Sequence, residues 1–136
     1  MTVVVQRSFI IQRGSFPEFE RLSRETIWPY MEARGCKIVG FFTNLHGGPS
    51  NEVVLNTAYA SMAHWESTRD DAPLPEGATG ELSALHTVYL DGLKKRRALT
   101  EVSSTRVFRL ATPWVDYGVR EGVTASYDPG VTPACR

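Results

Sequence analysis

Cysteine is scarce in this chain and net charge is missing altogether. Only Cys36 and Cys135 occur in 136 residues. A small secreted domain stapled by disulfides ordinarily carries a larger set. No Cys-x-x-Cys pair exists, so a zinc ribbon and a thioredoxin-type centre are both excluded. Fifteen Lys and Arg balance fifteen Asp and Glu, six against six up to residue 68 and nine against nine beyond it. Gripping a phosphate backbone needs an excess of cations, so no nucleic-acid partner is expected. The chain is 42% hydrophobic, which with zero net charge argues against disorder. No apolar run approaches the roughly 18 residues of a membrane span. Residues Met1 to Arg7 lack the basic start and apolar stretch of a secretory signal. A cytoplasmic location without a membrane partner is therefore the expectation.

Recognised chemical motifs are equally sparse. No glycine-rich loop leads from a strand into a helix, and no Gly-x-Ser-x-Gly elbow occurs. His46, His64 and His86 are never three or four residues apart, and no acidic cluster joins them. A metal site is not expected on that spacing.

What is present is a pattern of alternating element types. Val3 to Ile11 is rich in β-branched residues and reads as a strand. Gly14 breaks it, and Ser15-Phe16-Pro17-Glu18 has the spacing of a capping box. Phe19, Leu22, Thr26, Tyr30 and Ala33 then recur at helical spacing as far as Gly35. Pro29 removes one hydrogen bond from that helix and bends it. Lys37 to Asn44 and Glu52 to Tyr59 read as strands joined by a hairpin through His46-Gly47-Gly48. Ser61 caps a short helix through about Asp70, and residues 71–79 are loop. A longer helix follows over Gly80 to Leu99, then a strand over Thr105 to Thr112. Residues 1–112 thus form one domain, and 113–136 read as an irregular tail.

The order β-α-β-β-α-β predicts an α+β, ferredoxin-like fold with an antiparallel four-stranded sheet and helices on one face. Apolar residues point to both faces of the first two strands. Val3, Val5, Phe9 and Ile11 oppose Val4 and Ile10, while Ile38 and Phe42 oppose Val39 and Phe41. Helices cover one face only, so a second subunit is expected on the other, giving a homodimer.

These residues also resemble the NIPSNAP family, a branch of the dimeric α+β barrel superfamily. The resemblance lies in Arg7-Ser8-Phe9, Gly14 before a Phe-containing helix, Pro29 late in it, Val39-Gly40-Phe41-Phe42, His46-Gly47-Gly48 and Asn51 to Leu55 leading to Ala58-Tyr59. It covers residues 5–70, and the second half by topology. Thr57 stands where the family often has Trp, and Pro73-Leu74-Pro75 replaces a Trp-containing stretch. The resemblance implies a dimeric barrel with its ligand between sheet and helices. Related barrels include cofactor-free monooxygenases, polyketide cyclases, lactone isomerases and haem-binding enzymes.

Few residues carry chemistry. On a wheel at about 100° per residue, Leu82, Leu85, Tyr89, Leu90 and Leu93 form one apolar arc with His86 near its middle. That places an imidazole and the Tyr89 phenol toward the sheet, as acid–base groups or as core. Arg7 shares a strand face with Val5, Phe9 and Ile11, where a guanidinium needs a carboxylate or a bound oxyanion. Asn56 is a strand residue able to donate to a carbonyl. Trp65 and Tyr30 either line an apolar pocket or pack in the core. Trp28 projects from the polar side of an ideal helix unless the bend at Pro29 turns it, and His64 reads as solvent-facing. Lys94-Lys95-Arg96-Arg97 is the one charge run and complements the macrodipole at a helix C-terminus.

These residues support a small cofactor-independent enzyme of cyclase, isomerase or monooxygenase type. Its substrate would be an apolar carbonyl-bearing or phenolic molecule. His86, Tyr89 and Arg7 would be catalytic, with Asn56, Trp65 and Tyr30 binding the substrate. A non-catalytic dimeric binding module and a haem-binding barrel using His86 are the alternatives.

Overall fold

A computed structural model describes residues 1–69, 72–112 and 116–119. Strand β1 (Val3–Ile11) leads to helix α1 (Phe16–Leu22), a π-helical turn (Ser23–Ile27) and helix α2 (Trp28–Ala33). Strands β2 (Lys37–Thr43) and β3 (Glu52–Tyr59), the short helix α3 (Met62–Ser67), the long helix α4 (Gly80–Leu99) and strand β4 (Thr100–Arg109) follow. The sheet runs β2-β3-β1-β4 with every neighbouring pair antiparallel. This is the ferredoxin-like α+β fold expected. No helix among the described residues is long and apolar enough to cross a membrane.

Period-two alternation decides which strand residues meet the helices. Val3, Val5, Phe9 and Ile11 of β1 and Val53, Leu55 and Tyr59 of β3 are buried beneath Phe19, Ile27, Trp28, Tyr30, Leu82, Tyr89 and Leu93. Each such side chain contributes roughly 1.5–3 kcal/mol when removed from water. The helices are therefore held mainly by what they cover.

Three expectations need correction here. Ser15 does not cap α1: its hydroxyl donates to the Gln12 carbonyl at 2.6 Å, and Glu18 pairs with Arg21 instead of reaching back. A bulge at Val39 moves Phe41 to the same side as Ile38, and Phe41 packs on Phe19 and Trp28. Phe42 joins Val39 on the uncovered face, 51% exposed. The last strand begins at Thr100, because the helix C-cap residue is already extended and no loop intervenes.

Trp28 takes the inward one of its two expected positions, and Pro29 explains it. Proline has no N–H for an α-helical bond, and here the preceding turn widens instead of breaking. The Trp28 N–H bonds to the Ser23 carbonyl, five residues back. The extra residue advances the helical phase by about 100°, which carries Trp28 into the core against Phe41. The chain then stops α2 at Gly35, whose φ of +84° suits glycine alone.

The long helix lies close on this widened turn. A β-carbon at Gly92 would sit 1.9 Å from Thr26 Oγ1 and 2.6 Å from Thr26 Cβ. Thr26 cannot swing aside without giving up its bond to the Leu22 carbonyl. Gly92→Ala should therefore destabilise the protein by about 1–3 kcal/mol in chemical denaturation. An unchanged midpoint would show that the helices have room to separate.

Candidate functional site

A cavity of about 410 Å³ opens between the β1–β4 half of the sheet and helices α3 and α4. Arg7 and Phe9 enter it from β1, and Ser103, Thr105 and Val107 from β4. Tyr89, Leu93, Arg96 and Arg97 come from α4, and Trp65 from α3, with Arg69 just beyond that helix. The odd-numbered β4 residues enter the cavity because Thr105 and Val107 pair with Arg7 and Val5, which face the helices. Four of the lining residues are arginines and none is acidic. A second hollow, about 260 Å³ beside Gln12, Arg13 and Phe16, holds none of the expected site residues.

Of the six expected residues, the structure brings Arg7, Tyr89 and Trp65 to this one cavity. Burial raises the Tyr89 phenol above its ordinary range, with the nearby Arg7 charge opposing the rise. Tyr89 thus keeps its proton near neutrality and faces the cavity as a hydrogen-bond donor. Trp65 lies under the Arg69 guanidinium at 5.2 Å, and its indole N–H has no partner among the described residues. Arg7 forms no ion pair among the described residues, so the structural carboxylate considered for it is not found there.

The other three lie elsewhere. Asn56 accepts from Gln6 at 3.2 Å on the uncovered sheet face. Tyr30 is buried in the core, where its hydroxyl accepts from Arg34 Nη1 at 2.8 Å. His86 does not line the cavity: its half-buried ring stacks on Tyr30 and Tyr89, with centroids 5.0 and 6.1 Å apart. Burial first, and then the Arg34 charge, hold its pKa below the ordinary histidine value, so it is neutral at pH 7. Away from the cavity, it offers no axial ligand to a haem bound there. Leu90 is 43% exposed, not part of the buried arc.

His64 also departs from expectation, being 3% exposed. Its Nδ1 accepts the Ala60 N–H at 3.0 Å, so Nε2 carries the proton and donates to the Arg34 carbonyl at 2.7 Å. Neither ring nitrogen is left for chemistry, and the residue pins α3 to the end of α2.

Arg96 is the residue that sequence reasoning missed. It is 5% exposed, lies over the Phe9 and Phe19 rings at 4.8 and 5.2 Å, and donates to Ser23 Oγ at 3.1 Å. Burial, and next the Arg7 charge, push its pKa down to about 9. The signal was available. With Leu82 as origin, Tyr89, Leu93 and Arg96 fall within about 40° of it, whereas Leu90 falls about 80° away. Reading Arg96 as one of a run of four charges concealed its place on the buried stripe.

Behind the cavity, Cys36 lies beside the Tyr59 hydroxyl in a fully enclosed site. Burial pushes its thiol up to about 12, outweighing the Tyr59 hydrogen bond and the Arg7 charge. A protonated, enclosed thiol is a poor nucleophile. Iodoacetamide should therefore leave the Cys36 peptide unmodified in the native protein at mildly alkaline pH and alkylate it after denaturation, as read by peptide mass mapping. Modification of the native protein at Cys36 would show that the core opens locally.

With the geometry in hand, comparison with known proteins bears on its setting. The family model described as NIPSNAP matches residues 4–79. A NIPSNAP family protein from Agrobacterium tumefaciens shares 22% identity, with 85% of this chain and 100% of that one covered and a TM-score of 0.63. A NIPSNAP domain protein from Burkholderia xenovorans has 19% identity, coverage of 84% and 99%, and a TM-score of 0.62. SnoaB, a cofactor-independent oxygenase from Streptomyces nogalater, has 15% identity, coverage of 85% and 98%, and a TM-score of 0.53. No curated protein matches the chain.

Proposed function

The chain belongs to the NIPSNAP family, and from that premise we propose that it is a cofactor-independent enzyme acting on a small apolar molecule through a phenolate or enolate. The carrying observation is the cavity that joins the Arg7 cation and the Tyr89 phenol to walls formed by Phe9, Trp65 and Leu93. A phenol or enol bound there with its oxygen toward Arg7 ionises more readily, because the cation stabilises the anion that forms. Tyr89, which keeps its proton, donates a hydrogen bond to the same oxygen. The apolar walls weaken competition from water and so strengthen both contacts.

The released proton needs no protein base in this scheme. Ser103 and Thr105 are exposed at the cavity wall, so water reaches it. His86, expected as the acid–base group, is left with a packing role on Tyr30 and Tyr89. An electron-rich phenolate or enolate is the reactive form in cyclisation, isomerisation and oxygen insertion alike. The fold shared with a cofactor-independent oxygenase supports the last of these.

A phenol that changes colour on ionisation gives the test. Spectrophotometric titration of p-nitrophenol should show its pKa lowered by about 1–3 units when bound. Arg7→Gln should abolish the shift, while His86→Ala leaves it intact. Bound p-nitrophenol with an unshifted pKa, or no binding at all, contradicts the reading.

The same reading includes a homodimer formed through the uncovered sheet face. Val4 and Ile10 of β1 pair across the sheet with Phe108 and Val102 of β4, and Phe42 and Val39 extend the patch over β2. Isolated apolar residues on a surface are ordinary, but several on one sheet face that no helix covers support an interface, with the Gln6–Asn56 and Ser8–Glu52 pairs as polar groups among them. Light scattering should give twice the monomer mass, and Phe42→Glu should return it to that of one chain. A monomeric wild-type protein contradicts the dimer.

A further inference from the structure

The cavity is charged more one-sidedly than the binding of a neutral phenol requires. Its wall carries Arg7, Arg69, Arg96 and Arg97 with no Asp or Glu among the lining residues. Arg96 is the unusual member, because it is almost completely buried. Phe9 and Phe19 receive the charge on their ring faces, and one of its N–H groups is taken by Ser23. A guanidinium has five N–H groups in a planar fork. No carboxylate pairs with Arg96 or with Arg7 among the described residues. Burying a cation without a counter-ion costs several kcal/mol, which ring faces and one hydroxyl only partly offset. The buried Arg96 and the half-buried Arg7 line the same cavity, near enough for one to perturb the other, and make a site that lacks its anion.

Resting on the same cavity as the proposed function, we infer that the substrate is an aromatic carboxylic acid whose carboxylate binds between Arg96 and Arg7. The aromatic body then lies against Trp65, Phe9 and Leu93. A carboxylate matches the guanidinium fork in its plane. It also carries a single charge, so it sheds water into an apolar neighbourhood at a lower cost than a phosphate dianion. The fixed charge does what a phenol cannot: it anchors the molecule before any ionisation at the reacting oxygen.

Calorimetric titration of the full chain with naphthoate, naphthamide and naphthyl phosphate tests this. Naphthoate should bind at least about tenfold more tightly than its neutral amide. Arg7→Gln and Arg96→Met should each bring the two toward equal affinity, with naphthoate losing more affinity than the amide. Arg7 is only half-buried, so its variant keeps the test open if Arg96→Met fails to fold, which a thermal melt reports. Equal affinity in the wild-type protein overturns the inference, as does a preference that survives both substitutions. Tighter binding of naphthyl phosphate overturns it in favour of a phosphate ligand. The p-nitrophenol shift is a separate readout. Its presence without a carboxylate preference leaves the phenolate reading standing alone, and the reverse result leaves only the carboxylate site.

Discussion

The Arg96 guanidinium is the contact through which the layers of this protein meet. Its flat face rests on Phe9 of the central strand and Phe19 of the first helix, and its edge reaches Ser23 in the widened turn. It therefore touches β1, α1 and the π-helical turn from α4, without a partner of opposite charge among the described residues. A hydrophobic residue of similar size would satisfy packing alone at lower electrostatic cost. That the position holds a cation, opening on a cavity lined by three more arginines, connects the packing of the fold to the charge of the cavity.

The two faces of the sheet divide the work. The covered face is apolar toward α1 and α2 and becomes polar and cationic toward α4, where β4 supplies serine and threonine. The uncovered face mixes apolar residues with the Gln6–Asn56 and Ser8–Glu52 hydrogen bonds. The cavity and the proposed dimer surface thus lie on opposite sides of one sheet. The strand alternation forces this, because a residue cannot serve both.

Much of this was legible in the residues. β-branched strands, Gly35 as a helix stop, Ser61 as a cap and the long helix from Gly80 all follow local rules, and local rules act on neighbours in sequence. The face of Arg7 was legible for the same reason, since period two needs no knowledge of the partner strand. Legibility failed where a single residue shifts phase. The bulge at Val39 exchanged the faces of Phe41 and Phe42, and the widened turn before Pro29 brought Trp28 inward. Each inserts one residue into a regular repeat; Pro29 marks where the helix bends but not that its turn widens, and nothing in the residues around Val39 marks the bulge.

The site divides along the same line. From the sequence alone came the element order, the family likeness, and Arg7, Tyr89 and Trp65 as residues with chemistry to offer. Only the tertiary structure decided that these three share a cavity while His86, Tyr30 and Asn56 do not, and that Arg96 joins them. The reason is physical. Helical periodicity tells which residues share a side of α4, but not which side meets the sheet. That choice rests on long-range packing, of which the approach of Gly92 to Thr26, more than sixty residues apart in the chain, is one contact.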